Sequence, residues 1–316
     1  MQIKNIKYDV LKQKMGDRIQ KNKNLAPFFT LKMHTVAEYY FEPTNIQDWK
    51  EIMSIVFEYD IPYLIIGGGS NIAVFQERIS GIVLRNRFIS KSIEDETHDY
   101  VDFKISSGYP MSMLVKETVD LGFSGFEYHY GLPGTLGGAI YMNSKWTRPL
   151  SYVSDSLMIA TIMDLEGVVR QESRDYFEFA YDYSKLQNTG EIFLEGIFRL
   201  MKHDVAELQK RSEEAMCYRK NTQPFGVATG GCFFQNISKK EQEKHSLPTG
   251  SAGYLIDASG LKGKTIGGFQ VSEKHANFII NTGNGKSEEL HELINVVKTE
   301  VKDQFDIDLK EEVRVV

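Results

Sequence analysis

Two glycine clusters carry the first chemistry this sequence suggests. The run Tyr63-Leu-Ile-Ile-Gly-Gly-Gly-Ser-Asn-Ile72 is apolar until Gly67, Gly68 and Gly69, which Ser70 and Asn71 follow. A short apolar run bounded by glycine reads as a buried strand. Glycines behind a strand turn tightly, approach a ligand closely and present bare N–H groups to phosphate oxygens. Ser70 and Asn71 add side-chain hydrogen bonds. That chemistry is a diphosphate cradle, although the same residues also build an ordinary tight turn, and the loop alone leaves both open. The second cluster is Gly131-Leu-Pro-Gly-Thr-Leu-Gly-Gly-Ala-Ile-Tyr-Met-Asn143. Two clusters, each beside apolar segments, could grip two parts of one extended ligand. Equally, the second could be a packed turn whose glycines let a helix meet a sheet.

Two familiar phosphate loops are excluded. A Rossmann fingerprint wants a third glycine where Ile72 stands, and a helix directly behind it. Here Phe75 to Gly81 reads as loop and Gly81-Ile-Val-Leu84 as another strand. A Walker loop needs glycine five residues before Gly263-Lys264-Thr265, and Ala258 stands there.

The chain has 316 residues, enough for two or three domains, and its 41% hydrophobic and 25% charged content is that of a globular protein. Its net charge of −6 implies no broad basic surface, so nucleic acid is not expected as a partner. No apolar run approaches the ~20 residues of a membrane span, and the N-terminus lacks an apolar stretch of signal type. Cys217 and Cys232 are the two cysteines. Two thiols in such a chain suggest a reducing cytoplasm rather than a disulfide scaffold.

The elements that must position these groups follow in order. Ile3, Ile6, Val10 and Leu11 give the polar N-terminal stretch one amphipathic helix. Phe28–Met33 and Ala37–Phe41 read as strands. Thr44 or Asn45 can cap a helix with Ile52, Val56 and Phe57 on its apolar side. With the strand after it this forms a βαβ unit in a small mixed sheet. Lys91 to His98 reads as an exposed connection, Val101–Ile105 as a half-buried strand, and Met111–Leu121 as a helix stopped by Gly122. Strands are expected at Leu157–Met163, Gly167–Gln171 and Ile192–Leu200, and a charged helix at Ala206–Tyr218, with Cys217 in its packing. Ser251 caps a further helix, and Phe278–Asn281 is a strand. Ser287 opens a long helix with the stripe Leu290, Leu293, Ile294, Val297 and Val301.

Seven segments then match one family in order. They are Gly67–Asn71, Gly131–Ala139 with Asn143, Arg219-Lys-Asn-Thr-Gln-Pro224, Gly231-Cys-Phe-Phe-Gln-Asn236, Ser251–Asp257 with Gly260–Gly263, Val271–Asn281, and Glu312-Val-Arg314. The chain resembles the UDP-N-acetylenolpyruvoylglucosamine reductase (UDP-N-acetylmuramate dehydrogenase, MurB) family. The resemblance implies an α+β fold: a two-subdomain FAD-binding module of the PCMH/VAO type, followed by a MurB-type C-terminal α+β substrate domain. The boundaries expected are 1–90 and 91–205 for the two FAD-binding subdomains and 206–316 for the substrate domain, whose last strand can return to the first subdomain.

The resemblance implies non-covalent FAD, with NADPH as co-substrate and a UDP-sugar as substrate. Gly67, Gly68, Gly69, Ser70 and Asn71 would grip the FAD diphosphate. Gly131, Pro133, Gly134, Thr135, Gly137, Gly138 and Asn143 would lie along the flavin. In the family reaction NADPH reduces the flavin, hydride passes from flavin N5 to C3 of the enolpyruvyl ether, and C2 is protonated. Cys232 falls at the proton donor. A thiol with pKa near ~8.5 is mostly protonated at neutral pH yet far more acidic than a serine hydroxyl. Glu312 falls at a glutamate that polarises the substrate carboxylate or relays a proton, while Glu311 reads as an exposed neighbour. Arg219, Asn236, His275 and Arg314 fall at substrate-binding positions. No metal is implied, and a cytoplasmic monomer is expected.

The sequence also departs from the family. Its Tyr-Arg-x-Ser motif, whose arginine binds the enolpyruvyl carboxylate, reads Tyr181-Asp-Tyr-Ser184 here. Two like charges at ~4 Å repel by roughly 1 kcal/mol in water and more in a drier site. Either another cation serves, with Lys185 and Arg219 as candidates, or Asp182 points away, or the substrate differs. His34-Thr35 replaces paired glycines, and Ser144-Lys-Trp-Thr-Arg-Pro149 replaces a small-residue turn.

Overall fold

The computed structural model describes the backbone of residues 2–316 and side chains from Tyr8 onward. It divides into two compact units: residues 1–23, 37–68 and 80–218 form the first, and 24–36, 69–79 and 219–316 the second. The N-terminal helix spans Gln2–Met15 and buries Leu11 fully. The side chains of Ile3 and Ile6, expected on the same face, lie outside the described residues.

Two sheets organise the first unit. One is ordered Gln20–Asn24, Val36–Phe41, Arg78–Arg85, Tyr63–Ile66, with the last two strands parallel. The helix Ile46–Glu58 connects Val36–Phe41 to the glycine strand Tyr63–Ile66, and the Asn45 side chain accepts from Asp48 N at its start. Trp49, Ile52, Met53, Ile55 and Val56 form its buried face. The second sheet runs Val169–Ser173, Leu157–Met163, Ile192–Lys202, Tyr100–Ser106, Lys91–Glu96, antiparallel throughout. The helix Met111–Asp120 packs Met111, Leu114, Val115 and Val119 into the same core as Val101, Phe103 and Ile105. Met163, Ile192 and Leu194 of the second sheet join the core of the first. This shared core is why two sheets make one unit.

The second unit has its own sheet, ordered Ala228–Cys232, Phe278–Asn281, Phe269–Val271, Thr265–Ile266. The long helix Ser287–Phe305 buries Leu290, Leu293, Ile294, Val297 and Val301, as its spacing predicts. Each such side chain contributes about 1.5–3 kcal/mol of burial. The last strand, Arg314–Val315, runs parallel to Ile72–Ala73.

The structure divides the chain differently in detail from the expected boundaries. The helix Val205–Thr222 begins in the first unit because Leu208 lies in its core and Ser212 Oγ donates to Glu127 O at 2.9 Å. The second unit also recruits residues 24–36 and 69–79.

Four local expectations are corrected. Phe28–Met33 is not a strand. Ala26–Phe28 is a 3₁₀ turn with Pro27 near its start, and Lys32 is left-handed at φ 56°. Phe29, Leu31 and Met33 are still buried, so the apolar alternation reflects burial without a ladder. Lys91–Glu96 is an edge strand, not a connection; charge suits an edge that must not pair further. Cys217 is exposed rather than buried. Glu311 is half-buried and bonded to Lys298 Nζ at 2.8 Å.

Asp48 anchors the first unit's opening segments. Arg18 Nη1 and Nη2 donate to its two oxygens at 2.7 and 2.5 Å, and Thr44 N and Oγ1 donate at 2.8 and 2.7 Å. The Arg18 guanidinium, helped by Thr44, holds the buried carboxyl down to about 2 against the cost of burial. A lowered folded-state value stabilises the fold above the ordinary carboxylate range, and that contribution is lost as pH falls toward the lowered value. Asp48→Asn should therefore lower stability at neutral pH by about 2 kcal/mol and weaken its fall between about pH 4 and 2. Urea midpoints measured across that range check this.

Candidate active site

In the first unit the two glycine clusters meet. A Cβ on Gly68 would lie 2.5 Å from Gly134 Cα, and one on Gly67 would strike the Thr135 hydroxyl. Only glycine allows this backbone-to-backbone approach. Thr135 caps the short helix Leu136–Tyr141, accepting from Gly138 N at 3.5 Å. Gly137 N donates to Ser107 O at 2.8 Å, and Met111 N donates to Gly134 O at 3.1 Å, so the loop is fixed from both ends. Among the described residues, no acceptor within the chain takes the N–H groups of Gly67, Gly68 or Gly69. Gly131 and Gly134 have positive φ, whereas Pro133 and Gly138 are exposed.

The segment behind this loop is stapled to the turn that carries Asp182. Asn143, left-handed at φ 46°, donates from Nδ2 to Ala180 O at 2.9 Å and accepts from Ser154 Oγ at 2.6 Å. Ser184 Oγ donates to Tyr141 O at 2.7 Å. Asp182 is itself left-handed, at φ 50°, and 7% exposed. Its Oδ1 lies 3.3 Å from Lys145 Nζ, and that ammonium stands 3.2 Å from the Tyr181 ring centroid. Burial pushes the Asp182 carboxyl up, and Lys145 opposes this. Lys185, one of the expected substitute cations, is engaged elsewhere, with Glu178 at 3.2 Å and over the Tyr176 ring.

The other expected residues belong to the second unit. Cys232 ends the strand Ala228–Cys232 and pairs in register with Phe278. Phe233 O accepts from Glu312 N at 2.8 Å, and Glu312 O accepts from Asn71 Nδ2 at 3.2 Å. Asn71 O in turn accepts from Arg314 N at 3.0 Å. Cys232, Glu312 and Asn71 thus sit on adjoining backbone. Ser70 O lies 3.9 Å from where a Gly231 Cβ would stand. Arg219 is buried at 8% exposure. Burial lowers its guanidinium to about 10, and attraction to Cys232 works against that shift. It stays cationic at neutral pH, within electrostatic reach of the thiol.

His275 packs edge-on to Phe278, and a Gly253 Cβ would come within 3.1 Å of its ring. Its Nδ1 accepts from Asn277 N at 3.3 Å, which leaves the proton on Nε2. Burial holds its value below the ordinary histidine range, so it is neutral at physiological pH. Asn236 is exposed and its Oδ1 accepts from Ala252 N at 3.0 Å; Arg314 is exposed on the last strand. Glu312, the acid or carboxylate partner expected from the sequence, is half-buried.

Sequence reasoning passed over two residues. Lys145 belongs to the segment Ser144–Pro149, where nothing local marks its pairing across to Asp182. Asn277 clamps the segment after Cys232: it donates to Phe234 O at 2.8 Å and accepts from Phe234 N at 2.9 Å. A polar residue between apolar ones in Ala276-Asn-Phe278 was the available signal. Among the described residues no cluster of potential metal ligands occurs, and no helix is long and apolar enough to cross a membrane.

Residues 37–171 match the family described as FAD binding domain, and 223–316 match the C-terminal domain of UDP-N-acetylenolpyruvoylglucosamine reductase. A Chlamydia trachomatis serovar A protein named UDP-N-acetylenolpyruvoylglucosamine reductase is 35% identical, covering 94% of this chain and 96% of its own. The Thermus caldophilus reductase of that name superposes with a TM-score of 0.75 at 26% identity, covering 94% of this chain and 98% of that one. p-Cresol methylhydroxylase shares the fold at 11% identity, with a TM-score of 0.56 over 96% of this chain and 88% of that one.

The loop contact can be tested by a pair of substitutions. Gly68→Ala must push Gly134 away and should destabilise the protein by about 1–3 kcal/mol. Gly138→Ala, whose nearest neighbour is 3.7 Å away, should change stability by less than about 1 kcal/mol. Equal thermal midpoints for the two variants would contradict the packing described.

Proposed function

The chain belongs to the UDP-N-acetylenolpyruvoylglucosamine reductase family, and we propose that it reduces UDP-N-acetylglucosamine enolpyruvate to UDP-N-acetylmuramate, the peptidoglycan precursor, with FAD and NADPH. The observation that carries this reading is the grouping of Cys232, Arg219 and Glu312 in a chain whose other unit brings two glycine loops together.

The residues fit the cofactor. Unspent N–H groups at Gly67, Gly68 and Gly69, with Ser70 and Asn71 beside them, suit a diphosphate. Gly131 to Asn143 would line the flavin. FAD, when bound, supplies the hydride that NADPH delivers and C3 of the enolpyruvyl ether accepts. The chain's own task is the rest. Hydride at C3 leaves negative charge at C2 and on the adjoining carboxylate. The Cys232 thiol gives its proton to C2, and Arg219 stabilises the thiolate left behind. Glu312 returns the proton or polarises the carboxylate. His275 as a neutral donor, with Asn236 and Arg314, would hold the UDP-sugar.

The net charge of −6 implies no broad basic surface, so nucleic acid is not expected as a partner. A cytoplasmic monomer suits a chain with two cysteines and a nucleotide-sugar substrate.

The two half-reactions test the roles separately under anaerobic conditions. Cys232→Ala should accept electrons from NADPH at close to the wild-type rate. Its reoxidation by UDP-N-acetylglucosamine enolpyruvate should slow by about 10²–10⁴-fold. Unchanged reoxidation would remove Cys232 from the chemistry, and purified protein that binds no FAD would sink the reading altogether.

A further inference from the structure

Cys232 stands where a regular ladder breaks. The strand Ala228–Cys232 pairs Thr229 with Ile280 and then Cys232 with Phe278, so the first strand carries one extra residue. That is a β-bulge, a device that re-aims a side chain beside a site. Gly231 lies in it at φ 86°, and its N–H donates to Thr229 Oγ1 at 3.4 Å. Past Cys232 the chain changes partners. Phe234 bridges to Glu311, and Gln235 N donates to Lys310 O at 2.8 Å. The ladder therefore holds Cys232 at a single register pair, with a bulge before it and a new neighbour after it.

Asn277 supplies the restraint that the ladder lacks. It is buried, as are Phe233 and Phe234. Its backbone O accepts from Phe233 N at 2.8 Å. Its side chain then stands in for a strand partner: Oδ1 accepts from Phe234 N at 2.9 Å, and Nδ2 donates to Phe234 O at 2.8 Å. One planar amide thus answers both the N–H and the C=O of one residue, which a single hydroxyl or a carboxylate does not do in this way. Phe233 O, held in the same segment, accepts from Glu312 N at 2.8 Å. The backbone of Asn277 has a separate task, since its N–H donates to His275 Nδ1 at 3.3 Å. Every residue in this arrangement belongs to the second unit. We propose that Asn277 is a positioning residue for the proton step: its clamp on Phe234, with the bulge at Gly231, aims the Cys232 thiol at C2. This rests on the reductase reading above.

The test follows the two half-reactions of FAD-loaded Asn277→Ala without oxygen. Reoxidation by UDP-N-acetylglucosamine enolpyruvate should slow by about 10- to 100-fold, the scale of a misplacement of about 1 Å, with reduction by NADPH within about twofold. Affinity for that substrate should change by less than about threefold, because the backbone N–H that serves His275 remains and the loss falls on rate. A double-mutant cycle separates aiming from folding. In a Cys232→Ala background, Asn277→Ala should slow reoxidation by less than about threefold more, since no thiol is left to aim. If Asn277→Ala fails to fold, Asn277→Ser carries the same thresholds. Equal slowing in both backgrounds, or none in either, overturns the inference. So does a smaller reoxidised fraction at the wild-type rate, the mark of a clamp that serves folding alone. Wild-type enzyme whose NADPH-reduced flavin is not reoxidised by this substrate overturns the reductase reading and the inference with it, an outcome distinct from a null in the variant.

Discussion

The backbone of Gly68 approaches that of Gly134 more closely than any side chain would allow. This contact fixes the end of the Tyr63–Ile66 strand against the loop that begins the Leu136–Tyr141 helix. The rest of the first unit supports it. The shared core holds the two sheets at one spacing, and the bonds from Gly137 and Met111 tie the second loop to its neighbours. Because protein fills the space beside Gly67 and Gly68, these glycines do not merely leave room for a ligand. They let two loops converge while keeping their N–H groups unspent.

Each unit also holds one largely buried cation. In the first unit Lys145 answers Asp182, so the substitution that looked hostile to an anionic substrate is balanced inside the protein. In the second, Arg219 lies within reach of Cys232 and stays charged despite burial. Both cations are largely withdrawn from solvent, where their fields are least screened.

Much of this was legible in the sequence because it rests on local rules. The stripe from Leu290 to Val301 follows helical period, Asn45 and Ser251 are caps, and Gly122 ends its helix at positive φ. The segment Phe28–Met33 misled because alternating burial came from contacts with distant parts of the chain, including Thr30 N to Gly69 O and Asn281 Nδ2 to Leu31 O. The Lys91–Glu96 strand was hidden by its charge, which an edge requires. The Lys145–Asp182 pair was invisible because its partners lie far apart along the chain and are brought together by tertiary bonds such as Asn143 to Ala180 and Ser184 to Tyr141. The glycine loops were recognisable as chemistry, but their contact with each other was not, since nothing in either cluster names its partner.

The most direct test is a crystal structure of the FAD-bound protein. The account predicts the N–H groups of Gly67, Gly68 and Gly69 within about 2.7–3.2 Å of diphosphate oxygens, with Gly68 still packed on Gly134. A diphosphate bound elsewhere, with those three N–H groups left to solvent, would contradict it.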